Sequence, residues 1–345
     1  MSQGGDFMDP RLQGLLVGIL FGIVLQRGRI CFNSAIRDVK MTKDNYLAKL
    51  ALLAILVETI GFHLAAQLGW IKLNPKPLIP LAQIIGGFLF GMGMVLAGGC
   101  ASGVTYRIGE GYITAFIAAV FYGITAAAVK GGPLSFVNRW MGKPITTTNN
   151  PGGFYAAKDG AVNLTLANLL NINPWIVAII FALLLLIVLV FWKTTERKVS
   201  GLNWITGGIA LGLVGVIAYL SQKTYPLGIT GGWVNLFRTT TANLDLTQPI
   251  PYNWEGMEIV GIIIGAYLAA LFAKEFRLRV PKDPKTFVQV AVGGILMGFG
   301  AGSAGGCNIG HILSGLPHLA ISSIVFTIFA VLGNWFMVWY LFERK

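Results

Sequence analysis

Nine long apolar runs set the terms on which this chain can fold. A helix needs roughly 17–25 residues to cross the hydrocarbon core of a bilayer. Nine runs approach or exceed that length: Leu12–Gln26, Tyr46–Gly69, Leu78–Ala97, Tyr112–Val129, Trp175–Trp192, Trp204–Leu220, Met257–Phe272, Phe287–Ala304 and Leu319–Phe342. Backbone N–H and C=O groups in lipid must be satisfied within their own segment, which leaves helices as the natural spans. The fold class is therefore an all-α polytopic membrane protein. Composition agrees: 12% of the 345 residues are charged, against about 25% in soluble domains. The segment MSQGGDFMDP has no basic n-region, so the first run reads as a retained span and not a signal peptide.

The net charge of +12 would suit nucleic acid, but the basic residues are scattered between spans and form no continuous basic face. They report orientation instead. With the N-terminus outside, 17 of the 26 Lys and Arg residues fall on the inner side, among them Arg27, Arg29, Arg37, Lys193, Arg197, Lys198 and Lys345. The expectation is an inner-membrane protein, N-terminus out and C-terminus cytoplasmic. The segment from Lys130 to Asn173 is then an external loop. The fifth run, IVAIIFALLLLIVLVF, has no polar residue and reads as a connector facing lipid on all sides.

A repeat sits on this frame. GGFLFGMGMVLAGGCASG, Gly86 to Gly103, aligns without gaps to GGILMGFGAGSAGGCNIG, Gly293 to Gly310, with ten of eighteen positions identical. A weaker echo joins GRICFNSAIRD, Gly28 to Asp38, to GITGGWVNLFR, Gly228 to Arg238. The chain divides into repeat one (11–130), loop and connector (131–200) and repeat two (201–342). An odd number of spans separates equivalent positions, so the second repeat is inverted, as in transporters whose site lies at the repeat interface.

Four short pieces follow glycine-rich spans: Gly28–Asp38, Gly98–Gly109, Gly228–Arg238 and Gly305–Leu316. They are too short to cross and too apolar for ordinary loops, so they read as re-entrant half-helices lining a cavity. Cysteine opens three of them, at Cys31, Cys100 and Cys307, and Gly231 takes the equivalent place in the fourth. A helix N-terminus carries free N–H groups and about half a positive charge, which suits an anion. The candidate substrate-binding set is Cys31, Cys100 and Cys307 with Gly99, Ala101, Gly306 and Asn308. Asn33, Arg29, His311 and Gly231 stand in support.

Other readings of the cysteines remain open. Free cysteine is often a small buried hydrophobe. Three thiolates can hold a soft metal, although no Met or His cluster accompanies them. Three cysteines cannot all pair, and no CxxC is present. Glu58 and His63 are polar within the second span. Glu58 is expected to find a basic or hydroxyl partner on a neighbouring helix, and His311 either tunes Cys307 or caps its turn. Tryptophans such as Trp70, Trp175, Trp192 and Trp233 read as an interfacial belt. No GxxxxGK[ST] motif occurs, which argues against ATP hydrolysis by this chain.

GLLVGILFGIVLQRGRICFNSAIRD and the paired AGGC motifs resemble the YeeE/YedE family of sulfur-compound transporters. The resemblance covers nearly the whole chain. It implies nine spans in two pseudo-symmetric halves with an hourglass shape, no enzymatic activity and no cofactor. It implies uptake of thiosulfate into the cytoplasm, with Cys31, Cys100 and Cys307 relaying the ion by S–H···S contacts. A small cytoplasmic sulfurtransferase of the TusA type is the partner it implies. Other sulfur or selenium anions remain alternative substrates, and a membrane thiol sulfurtransferase an alternative activity.

Overall fold

The computed structural model describes residues 8–195, 201–242 and 253–344. Arg197, Lys198, Lys345 and the N-terminal MSQGGDF lie outside the described residues. In chain order the helices are α1 (Pro10–Gly28), α2 (Phe32–Met41), α3 (Tyr46–Gln67), α4 (Pro80–Leu96), α5 (Ala101–Gly109), α6 (Ile113–Gly131) and α7 (Phe136–Met141). A two-stranded ribbon follows, β1 (Thr146–Thr147) and β2 (Val162–Asn163), and then α8 (Leu166–Leu170), α9 (Pro174–Phe191), α10 (Trp204–Gln222), α11 (Ile229–Ala242), α12 (Trp254–Phe272), α13 (Lys285–Ala304) and α14 (Ile321–Val338). Among the described residues, nine helical segments are long and apolar enough to cross a membrane.

Local chemistry explains where the spans start. Asp9 caps α1 by accepting from the Arg11 N–H at 2.8 Å, ahead of Pro10. Asn173 caps α9 in the same way, ahead of Pro174. Asn203 accepts from both Ile205 and Thr206 at the start of α10, and Asn253 from Gly256 in α12. Each cap satisfies N–H groups that have no partner inside the helix.

Glycine explains how closely the spans pack. On α1, Gly14, Gly18 and Gly22 lie against the carbonyls of Trp254, Glu258 and Ile262 of α12, while Gly261 and Gly265 of α12 lie against Leu15 and Ile19. A Cβ at any of these places would collide with backbone. Apolar burial gives no driving force between helices in lipid, so close van der Waals packing through small residues replaces it. In the α4–α13 pair, Gly86 meets Gly300 and Gly93 meets Gly293.

Two features of the periphery differ from the sequence reading. The outer faces of α9 are exposed as expected, but Val177, Ala178, Leu185 and Leu189 form one buried stripe, packed in part on α3. The residues after Lys130 are more than a polar loop. They fold into α7, the β-ribbon and α8, and Tyr155, Val162 and Ala167 join Phe62, Tyr219 and Leu319 in a second apolar core.

Candidate functional site

The three cysteines are all free and buried, with at most 1% exposure. Cys31 is the N-cap of α2 and Cys100 the N-cap of α5. Their sulfurs lie 3.8 Å apart. The Gly103 N–H donates to Cys100 Sγ at 3.3 Å, and Ser102 Oγ lies 3.4 Å from it. A Cβ at Gly103 would stand 2.9 Å from Cys31 Sγ and 3.2 Å from Cys100 Sγ, so only glycine lets both thiols face one spot. Ala101 is fully buried in the first turn behind Cys100, and its carbonyl accepts from Thr105.

Cys307 stands apart from this pair. It precedes Asn308, the N-cap of a π-helical turn at Ile309–Leu313. The two AGGC loops turn alike: Gly98 has φ +68° and Gly305 has φ +80°, conformations that a side chain would strain. Asn308 is fully buried, and neither its Oδ1 nor its Nδ2 has a hydrogen-bond partner. An orphaned buried amide costs about 1–3 kcal/mol. Both polar atoms of the Asn308 amide are therefore open to a further hydrogen bond. The Tyr122 hydroxyl, bonded to Thr230 Oγ1 at 2.7 Å, lies within electrostatic reach of Cys307 and Cys100.

Cations flank this line. Lys76, in the α3–α4 connection, lies 4.0 Å over the Tyr225 ring and approaches Gly306 and Gly310. Burial, helped by the charge of Lys130, lowers its pKa to about 8, against the opposing pull of Glu255 and Cys307. Towards the other end, Arg107 donates to the Gly98 carbonyl at 2.7 Å and would press on a Cβ at Gly99. Its charge reaches Cys31 and Cys100. Lys76 did not stand out in the sequence, whereas Arg107 reads there with Arg27, Arg29 and Arg37 as one of the basic residues clustered near the short pieces of the inner side. The signal for Arg107 is its spacing, seven residues after Cys100, two turns along the same helix face.

The supporting residues have mixed fates. His311 Nε2 lies 3.0 Å from the Ala304 carbonyl, Nδ1 lies 3.1 Å from Ser323 Oγ, and the ring stacks on Phe326. Both nitrogens hold the turn, and neither reaches the thiol. Asn33 accepts from Asn334 Nδ2 at 2.7 Å and ties α2 to α14. Arg29 pairs with Glu110 at 2.6 Å and Glu275 at 2.8 Å, away from the sulfurs. Burial raises the Glu110 pKa against the pull of Arg29. For Glu275 burial also pushes upward, but the hydrogen bond from Gln26 and the charge of Arg29 win and hold it below the usual carboxylate range.

Three expectations are corrected. Gly231 does not occupy the place of the cysteines, because α11 starts at Ile229 and the residue before it is Gly228. Gly231 lies in the first turn, against the Glu255 carboxylate. Glu58 has no basic or hydroxyl partner among the described residues, and its carboxyl packs on Gly215. The reason is steric: glycine is what lets α10 approach the carboxyl. Trp233 is no belt residue. It is buried, and its Nε1 donates to Thr105 Oγ1 at 2.9 Å.

Nine membrane-length apolar helices among the described residues, with three buried thiols in their midst, define a multi-pass membrane protein. The family model described as sulphur transport matches residues 27–336. The chain belongs to this family, which agrees with its resemblance to the YeeE/YedE proteins. It is 52% identical over 335 residues to the thiosulfate transporter TsuA of Spirochaeta thermophila, covering 96% of this chain and 99% of that one. It is 32% identical over 354 residues to the thiosulfate transporter TsuA of Escherichia coli, covering 96% and 95%. A probable transporter YedE of Escherichia coli is 43% identical over 108 residues, 30% of this chain and 26% of the other.

Proposed function

We propose that the protein takes up thiosulfate through the line Lys76, Cys307–Asn308, Tyr122, Cys100–Cys31 and Arg107. The substrate comes from the two long relatives, each named a thiosulfate transporter. The observation that carries the route is the 3.8 Å approach of Cys31 and Cys100, each at a helix N-terminus. A thiol can donate S–H to the terminal sulfur of the anion, while the first-turn N–H groups answer its charge. Between Lys76 and Arg107, a dianion can be handed along neutral hydrogen-bond donors.

The same reading includes inverted repeats and re-entrant half-helices. The helices α2 and α5 are 10 and 9 residues long, roughly 15 Å at about 1.5 Å per residue, half of what a span needs. The glycine contacts support the inversion. Shifting by the 207-residue repeat turns the Gly86–Gly300 contact into the Gly93–Gly293 contact. Two elements exchanged by a two-fold axis would do that. In this arrangement the N-terminus is outside, Lys76 faces the outer side, and Arg29, Glu110 and Glu275 form the cytoplasmic mouth. A sulfurtransferase of the TusA type would receive the anion there.

The test is uptake of radiolabelled thiosulfate into proteoliposomes holding the purified protein. Saturable uptake, competed by unlabelled thiosulfate and not by sulfate, supports the reading. Uptake no faster than in protein-free liposomes overturns it.

A further inference from the structure

One of the four short elements has its N-terminus facing acidic side chains of the protein itself. Two carboxyl groups of α12 stand against the start of α11. The Glu255 carboxylate lies against Gly231 in the first turn. Glu258 faces the Gly228 N–H, outside strict hydrogen-bond geometry. Glu258 is fully buried, and neither carboxyl oxygen has a hydrogen-bond partner. Gly228 adjoins open space, since a Cβ there would meet nothing within 4 Å. Two residues on, Thr230 bonds to the Tyr122 hydroxyl, which lies within electrostatic reach of Cys307 and Cys100. The Leu227 carbonyl accepts from Ser314 at 3.1 Å, which ties this corner to the segment after Cys307.

We infer that Glu258 is a proton-binding site that sets when the pathway admits its anion, an inference that rests on the transport reading above. An ionised carboxylate without a donor is costly in a membrane interior, and a proton removes that cost. When the proton leaves, the charge settles at the α11 N-terminus, where it occupies the helix's positive end and repels a dianion nearby. When the proton returns, the Gly228 N–H and the space beside it become available.

The surroundings make Glu258 the switch. Its own helix supplies Glu255, whose charge acts on it. From α1 the Glu258 backbone is faced by Gly18, and from α11 the carboxyl is faced by the Gly228 N–H, neither titratable, while α5 meets α12 further along, at Ile263 and Tyr267. The α3–α4 connection brings Lys76, whose charge is coupled to Glu255. The expected sign follows: uptake falls as external pH rises, by about tenfold per pH unit once Glu258 is mostly ionised. Lys76 loses its own charge in the same direction, so its contribution has to be held fixed. Arginine at that position stays charged throughout.

The experiment measures thiosulfate uptake in proteoliposomes across external pH, comparing Lys76→Arg with Lys76→Arg/Glu258→Gln. A steep fall in the first and a flat, high profile in the second support the inference. A flat profile in the first, or an unchanged fall in the second, overturns it. A second measurement does not need transport: the infrared band of protonated carboxyls in nanodisc-embedded protein, with and without Glu258→Gln. Loss of part of the band in the variant supports a held proton, and an identical band overturns it. Should no variant move thiosulfate at any pH, the transport reading fails. The infrared result then still decides whether Glu258 holds a proton.

Discussion

The sulfurs of Cys31 and Cys100 face each other at 3.8 Å across Gly103. These residues belong to different helices, α2 and α5, and each caps its own. The contact depends on one missing side chain. Gly103→Ala is therefore expected to part the thiols. Overpacking of this kind costs about 1–3 kcal/mol, and the transport rate should fall by roughly tenfold for each 1.4 kcal/mol lost from the bound state. Uptake kinetics and thermal unfolding of Gly103→Ala check this.

Lys76 carries a pH prediction of its own. Its proton is held with a pKa of about 8 because burial disfavours the charge. Apparent thiosulfate affinity should weaken as external pH rises through about 8. The Lys76→Arg protein should lose only the part of that weakening that Lys76 causes and keep the fall set by Glu258, the Lys76→Arg/Glu258→Gln protein should hold its affinity through that range, and Lys76→Met should show weak affinity throughout. The folding consequence has the opposite sign. Between about 8 and the ordinary lysine value of 10.5 the folded chain binds fewer protons than the unfolded chain, so this residue's contribution to stability rises with pH.

The Arg29–Glu110–Glu275 lock should matter more to integrity than to recognition. Arg29→Gln leaves Glu110 with 2% side-chain exposure and without its pairing cation. A fully buried broken pair costs about 3–5 kcal/mol, and the 42% exposure of the Arg29 side chain reduces that, to about 1–3 kcal/mol. The Glu275 carboxyl is held low, so its contribution is complete above the ordinary glutamate value and is lost only as pH falls through its folded value. Thermal unfolding of Arg29→Gln against wild type, neutral and acidic, measures both.

Gly228 offers a gain-of-group test. A side chain there meets open space, so Gly228→Cys should fold with an unchanged melting temperature. In a background with Cys31, Cys100 and Cys307 replaced by serine, the new thiol should react with a small thiol reagent. Mass spectrometry reads the modification.

The spans were legible because burial in lipid demands long unbroken apolar runs, and nine such runs stood in the sequence. The cysteines were legible because a rare residue type recurred in one glycine frame. What stayed hidden came from groups placed by tertiary contact. Lys76 sits in a polar connection that reads as a topological signal. Tyr122 and Thr230 are ordinary members of their segments until α6 and α11 bring their hydroxyls together. The Gly231 assignment slipped because GITGG offers several glycines to one alignment position, and only the helix start at Ile229 selects Gly228. The expected partner of Glu58 did not appear, since residue type sets the cost of burial and says nothing of what a neighbouring helix presents.

The central claim is that the three buried thiols carry the anion. Radiolabelled thiosulfate uptake by proteoliposomes of wild type, Cys31→Ala, Cys100→Ala and Cys307→Ala tests it most directly. Each substitution removes a hydrogen-bond donor to a charged ligand, worth about 1.5–3 kcal/mol, or roughly tenfold to a hundredfold in rate. A loss of that size in every variant, with folded protein in the membrane, is the expected result. Uptake at the wild-type rate in all three would contradict the account.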